Sequence, residues 1–441
     1  MRVWVIGLCG WLLASTPALA QTQTRPATLA TLFQDVFGPN GLTVSSDDVQ
    51  LDGTNHAAHF NSSFQSDFRL MNIALASQLT AVPLPSPASG FTYKFDPATG
   101  TFVRSTRSFG PILTDRGETI GRGRIAFGAN AQFFTFDHLD GTRLSNVPAV
   151  FRHDDYQTTP GRSDVISTAN TIGASVKQMT FALTYGLSDR VEVSAAVPLI
   201  DTHISLLSNA TIERVGTGSN LGVHYFFDPT AIDNHGTSHQ FFAEGSAAGL
   251  GDVVLRAKAT AVREAGRSLA AGVDVRVPSG DEENLLGSGA LGVRPFAAFS
   301  TTAGALSPHL NLAYQWNGKS VLAGDVRSHT RADLPDQLQI AGGTEAVMNP
   351  HVTLVFDVLA QRVLDSPRLQ TFPFVASGPA GTVSLEDLAF VSQNFWSTSG
   401  SVGLKANLAG RLLINCNLRF ALNHAGLTDR LTPLIGMEWA F

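Results

Sequence analysis

The sequence predicts an all-β chain: a transmembrane antiparallel β-barrel of about 12 strands, behind an N-terminal region that is partly helical. Three observations predict it. Apolar and polar residues alternate at period two in segment after segment, as they do in strands with a lipid side and a lumen side. The links between those segments are alternately short and long, the layout of short periplasmic turns and long outer loops. Finally, only 15% of the 441 residues are charged, against about 25% in an average soluble domain, yet no stretch reaches the ~18 consecutive apolar residues of a helical span.

The first twenty residues read as an address. Arg2 supplies a positive start, Val3 to Leu13 a short apolar run, and Ala18-Leu19-Ala20 a small-x-small cleavage site before Gln21. Residues 1–20 are therefore expected to be a cleaved secretory signal; Cys9 lies too early for lipid attachment. The exported chain then keeps one cysteine, Cys416, which excludes an internal disulfide and a Cys-based zinc site. A net charge of -6 leaves no basic footprint, so nucleic acid is not an expected partner. The mean hydropathy of +0.09 is too low for a bundle of membrane helices.

Residues 21–122 read differently from the rest. Leu29, Leu32, Phe33, Val36 and Phe37 recur at helical spacing. Phe60, Phe64, Phe68, Met71, Leu75 and Leu79 repeat every three or four residues, a helical period that Pro83, Pro85 and Pro87 bring to an end. Phe91–Phe95 and Thr101–Ser105 flank the turn-forming Pro97-Ala98-Thr99-Gly100, so a short hairpin is expected. Were that hairpin to join the wall, the barrel would have 14 strands. Two placements stay open for the whole region: a periplasmic extension, or a plug whose Phe-rich helix (Phe60, Phe64, Phe68, Met71, Leu75) enters the lumen. An apolar stripe must be buried somewhere, and the lumen and loops are the partners within the chain.

Residues 123–441 carry the barrel pattern. Met179, Phe181, Leu183 and Tyr185 alternate with Thr180, Ala182, Thr184 and Gly186. After Ser188-Asp189-Arg190, Val191, Val193, Ala195 and Val197 alternate with Glu192, Ser194 and Ala196. The same period runs through Val253–Thr260, Leu269–Val277, Leu310–Asn317, Val352–Leu359 and Leu412–Phe420, where Cys416 falls on the lipid side. Short turns are expected at 187–190, 264–267, 304–307, 348–350 and 409–410, and long polar loops at 137–172, 209–250, 279–289, 319–336, 366–395 and 423–432. A soluble sandwich shares the alternation but not this regular exchange of short and long links. The last segment sets Ile435, Met437, Trp439 and Phe441 on one face; a terminal aromatic there resembles the assembly signal of outer-membrane barrels, so Trp439 and Phe441 are expected to engage the barrel-assembly machinery. Membrane lipid is the other expected partner.

Tyr185-Gly186-Leu187-Ser188-Asp189-Arg190-Val191-Glu192-Val193 with Val197-Pro198-Leu199, then Gly249-Leu250-Gly251-Asp252-Val253 and Val275-Arg276-Val277-Pro278-Ser279-Gly280-Asp281, resemble the outer-membrane family named for the meta-pathway of phenol degradation, over roughly residues 123–441. The resemblance implies an outer-membrane channel for small hydrophobic or aromatic solutes, broadly like the long-chain fatty-acid porins. An outer-membrane lipid or ester hydrolase and a purely structural barrel stay as alternatives.

Catalytic and cofactor signals are missing. There is no G-x-S-x-G and no H-E-x-x-H, no cofactor fingerprint, and Gly121-Arg122-Gly123-Arg124 lacks the Lys-Ser/Thr of a phosphate loop. His224, Asp228, Asp233, His235 and His239 crowd one loop, yet polar loop chemistry explains them better than a metal; Asp47, Asp48 and Asp52-Gly53 miss calcium-loop spacing. The sharpest remaining feature is charge at inward positions: Arg256, Lys258, Asp274, Arg276, Arg294, Asp357, Lys405, Arg419 and Glu438. Pairing across neighbouring strands explains most of them, with contacts to a solute or plug as the alternative. Inward Lys and Arg on several strands would leave an open, positively biased pore unless something fills it.

Overall fold

The computed structural model describes residues 28–38, 40–47, 60–62, 64, 69–81, 93–96, 101–104, 107–153, 163–264, 266–408 and 411–441. The expected signal at 1–20 with Cys9, the acidic run at Asp48 and Asp52, Phe68, the prolines at 83–87, and the turns at 97–100 and 409–410 lie outside the described residues.

Twelve antiparallel strands close into a ring: β1 Ile125–Phe136, β2 Val165–Gly186, β3 Val191–Glu213, β4 Val253–Glu264, β5 Arg267–Val277, β6 Gly292–Thr301, β7 Leu306–Asn317, β8 Gln337–Asn349, β9 Val352–Gly378, β10 Gly381–Asn407, β11 Leu412–Ala421 and β12 Leu431–Ala440. Each pairs with its neighbours in sequence, and β12 closes on β1 with Glu438 opposite Gly128 and Leu434 opposite Gln132. The expected strand number stands at 12, not 14: Tyr93–Asp96 and Thr101–Arg104 pair only with each other.

The period-two pattern sets the faces. Met179, Leu183, Leu255, Leu310, Leu312, Val402, Leu404 and Ile435 are exposed outward, joined by Tyr314, Trp316 and Trp439, while Thr180, Thr184, Lys258 and Asn417 are buried inward. Cys416 faces outward as well. An apolar outside over a polar inside is stable only against hydrocarbon, which makes this an outer-membrane barrel.

The wall is uneven in height. β6 and β11 have 10 residues, about the ~9–11 needed to cross a bilayer. β2 and β3 run for 22 and 23 residues, and β9 and β10 for 27 each. Much of what reads as polar loop at 165–172, 209–213, 238–250 and 366–395 is therefore strand that continues past the lipid. Val147–His153 adds to the upper edge of β2, and Ser238–Leu250 to the upper half of β3.

Among the described residues, the helices α1 Leu32–Asp35 and α2 Arg69–Ala81 sit inside this upper wall. The helical run expected from Phe60 is shorter, because Phe60 and Asn61 take extended backbone and pair with His153 and Arg152. Leu32, Phe33, Phe37, Phe64, Met71 and Leu75 are buried with Phe151, Ile204, Leu206, Leu322 and Leu388 in one apolar core. Phe37 meets Phe151 and Phe241 edge-to-face at 5.2 and 5.1 Å. Burying each such side chain contributes roughly 1.5–3 kcal/mol. Asn72 is buried and donates to the Ala30 carbonyl at 2.7 Å, tying α2 to the turn before α1.

A floored chamber as candidate functional site

The segment that crosses the lumen at membrane level is residues 107–122, just before β1. It has no helical or strand period, and its backbone polar groups are met by inward side chains of the wall. Phe109 N–H donates to Thr353 Oγ1 at 3.2 Å on β9. The side-chain amide of Asn311 on β7 accepts from Asp115 N–H at 2.6 Å and donates to the Asp115 carbonyl at 2.8 Å, copying a strand partner. Gly117 N–H donates to Ser300 Oγ at 2.8 Å on β6, and Thr260 of β4 donates to the Gly117 carbonyl at 2.8 Å. Ile120 N–H reaches Glu192 of β3 at 2.7 Å. Gly117 has to be glycine: a Cβ there would lie 2.5 Å from the Ser268 carbonyl oxygen. Phe109 packs on Leu413 and Ala440, and Leu113 sits near Val355 and Leu434. The segment thus forms a floor over the turn end of the barrel, the periplasmic end in this layout.

Charges fasten it. Arg256 donates to Asp115 at 2.7 Å and to Asp274 at 2.7 and 2.9 Å. Arg294 meets the same Asp274 at 2.6 Å and Gln339 at 3.0 Å. Arg116 pairs with Glu345 at 2.9 Å, and His309 stands 3.2 Å from Glu345 and 2.7 Å from Asp357. Lys258 pairs with Glu192 at 2.7 Å, Lys405 with Glu438 at 2.6 Å, and Arg276 lies 3.6 Å from Asp252. An unpaired charge inside costs several kcal/mol, so such groups arrive in pairs. The structure corrects the positively biased pore: the inward bases of β4, β5, β6 and β10 are met by acids.

Above the floor lies a chamber whose empty space, open solvent included, is about 940 Å³. Leu113, Thr114 and Asp115 bound it below, and Gln78 of α2 bounds it on the other side. Space remains there because the inward positions of β7, β8, β10 and β11 include Ala313, Ala341, Ser397, Ser399 and Ala421. Leu359 and Leu427 supply apolar wall; Arg294, Gln339, Gln361 and Arg419 supply polar wall. A second cavity of about 440 Å³ shares Gln78, Gln361, Ser397 and Leu427 with the first and extends to Ser366, Pro367, Ala425 and Gly426 at the loop end.

The expected plug residues Phe60, Phe64, Met71 and Leu75 are buried in the upper core, not at membrane level. Of the charged candidates, Arg294 and Arg419 border the chamber, and Arg256, Lys258, Asp274, Arg276, Asp357, Lys405 and Glu438 are buried in the pairs around it. Sequence reasoning missed Asp115, Arg116, Gly117, His309, Asn311 and Glu345. Inward phase on β7 and β8 could have found the last three. Trp439 and Phe441 are exposed, their rings stacked at 5.4 Å.

The histidine-rich loop does not converge on a metal. His224 pairs with Asp164 at 2.8 Å, His235 with Asp47 at 2.8 Å, and His239 lies against Phe226 and Phe241. Burial would raise the Asp164 carboxyl, but bonds from His224, Thr217 and the N–H groups of Gly216 and Thr217 outweigh it and hold it below the usual range.

No curated protein matches the chain. Among solved structures, an outer-membrane channel from Pseudomonas putida F1 is 15% identical, with a TM-score of 0.43 over 74% of this chain and 100% of that one. The Ralstonia pickettii toluene transporter TbuX is 14% identical, with a TM-score of 0.29 over 82% and 100%. A Pseudomonas aeruginosa FadL homologue is 9% identical, with a TM-score of 0.30 over 72% and 89%. A family match spans a narrower stretch than the resemblance expected over residues 123–441, and it includes all three quoted motifs. Residues 170–334 match the family described as "Putative MetA-pathway of phenol degradation", which bears out the resemblance carried by those motifs.

Proposed function

We propose that the chain is an outer-membrane channel for the uptake of small hydrophobic or aromatic compounds, exported through a signal cleaved before Gln21. Residues 21–122 act in it as a plug of two parts, an upper apolar cap and a lower polar floor, and residues 123–441 form the barrel. Trp439 and Phe441 serve its insertion by the assembly machinery. The observation that carries the reading is the chamber enclosed between α2 and Leu113–Asp115, with a cavity leading from it toward the loop end. An open aqueous pore offers an apolar solute no surface for burial, whereas a chamber with Leu113, Leu359 and Leu427 in its wall does. The family match favours an aromatic solute.

The test is uptake in a strain lacking the gene. Slower accumulation of an aromatic compound in intact cells, with unchanged metabolism in lysed cells, supports the channel. Equal uptake with and without the gene, or ester turnover by the purified barrel, overturns it.

A further inference from the structure

We infer that the chamber binds its solute as an anion, a small aromatic carboxylate, through the guanidinium of Arg419. This deepens the channel reading above and rests on it for the route, though not for the binding itself.

Arg419 stands apart from the other cations of the lumen. Arg294, also in the chamber wall, is spent on Asp274 and Gln339. Arg419 makes no hydrogen bond and no ion pair among the described residues, and it borders the chamber from the upper part of β11. Asp429 shares that wall, but its carboxylate accepts from Thr135 N–H at 2.9 Å, Leu431 N–H at 2.9 Å and Thr432 Oγ1 at 3.2 Å, and it forms no ion pair with Arg419. What Arg419 does touch is the ring of Phe134, 5.5 Å from its central carbon.

A cation–π contact of this kind uses none of the guanidinium N–H groups as hydrogen-bond donors. Five donors without an acceptor, set in a chamber wall, fit a carboxylate, which accepts two parallel bonds from the guanidinium fork. A neutral hydrocarbon gives them nothing. The rest of the solute has apolar wall at Leu359 and Leu427 within the same cavity.

The experiment is equilibrium binding of benzoate and of benzyl alcohol, which shares the ring but not the charge, to the full-length protein in detergent. Benzoate is expected to bind more tightly than the alcohol. In Arg419→Gln its affinity is expected to fall about tenfold, with the alcohol unchanged. Arg419→Lys keeps the charge without the planar fork and is expected to fall between the two. Heat-modifiable migration of each variant verifies the barrel. Benzoate binding equal to that of the alcohol, or unchanged in Arg419→Gln, overturns the inference. Flux into vesicles separates the two readings: benzoate that binds at Arg419 but does not cross sinks the channel and leaves the site.

Discussion

Asp115 and Arg256 meet at 2.7 Å, and the same guanidinium holds Asp274 with its remaining donors. One residue belongs to the floor and the other to the wall, so this bond fixes a segment without regular structure to a rigid strand. Around it the floor is held by further polar contacts and by the buried Phe109, Ile112, Leu113 and Ile120. Loss of this bond is expected to loosen the floor while the wall, held by its own strand ladders, stays folded.

Asp115→Ala is expected to loosen the floor while Arg256 keeps Asp274. Single-channel conductance in planar bilayers should rise several-fold over the parent, with migration on gels unchanged. Gly117→Ala should do the same by another route, since its Cβ would press on the backbone of β5 at Ser268. Parental conductance in both variants would show that the floor does not limit flow.

Two truncations separate the cap from the floor, each made with residues 1–20 retained. Removal of 21–105 takes away α1 and α2 but leaves residues 107–122 in place; removal of 21–122 takes both. The first is expected to conduct modestly more than the parent and the second far more. Equal conductance of the two would move the barrier to the upper core.

Lys405 is fully buried and pairs with Glu438 on the strand beyond its neighbour. Lys405→Met strands that acid and should cost about 3 kcal/mol, read as a lower temperature for loss of the compact gel band. Adding Glu438→Leu should restore most of it, because an apolar pair replaces a charged one. A double variant as weak as the single would contradict this account.

Asp164 gathers four donors at the loop end. Its carboxyl is held below the usual range, so its contribution is complete above the ordinary carboxylate pKa and fades as the pH falls through the lowered one. Asp164→Asn is expected to speed proteolysis within 214–237 at pH 7 and to flatten the acid sensitivity that the parent shows below about pH 4. Equal cleavage of parent and variant at pH 7 would refute it.

The sequence made the ring legible because a barrel repeats one physical rule twelve times, and pairs such as Met179 with Thr180 state it locally. It did not say how far strands outrun the lipid, since Ser238–Leu250 and Gly381–Asn394 alternate too weakly to stand out from loops. Nor did it point to Asp115 or Arg116. Their place depends on acceptors and donors more than a hundred residues away, and nothing in the spacing of residues 107–122 foretells that. The Phe-rich run gave the apolar stripe correctly but not its level in the barrel, because burial against Phe151 or against a lumen wall leaves the same periodicity.

The ring shuts where its first strand meets its last, at pairs such as Ala129 with Met437. The two helices and the floor precede that first strand in the chain. Filling and sealing are therefore expected to follow the order of the chain, contents first and seam last. A cross-link placed early between residues 129 and 437 would trap an empty cylinder, and one placed late would change nothing.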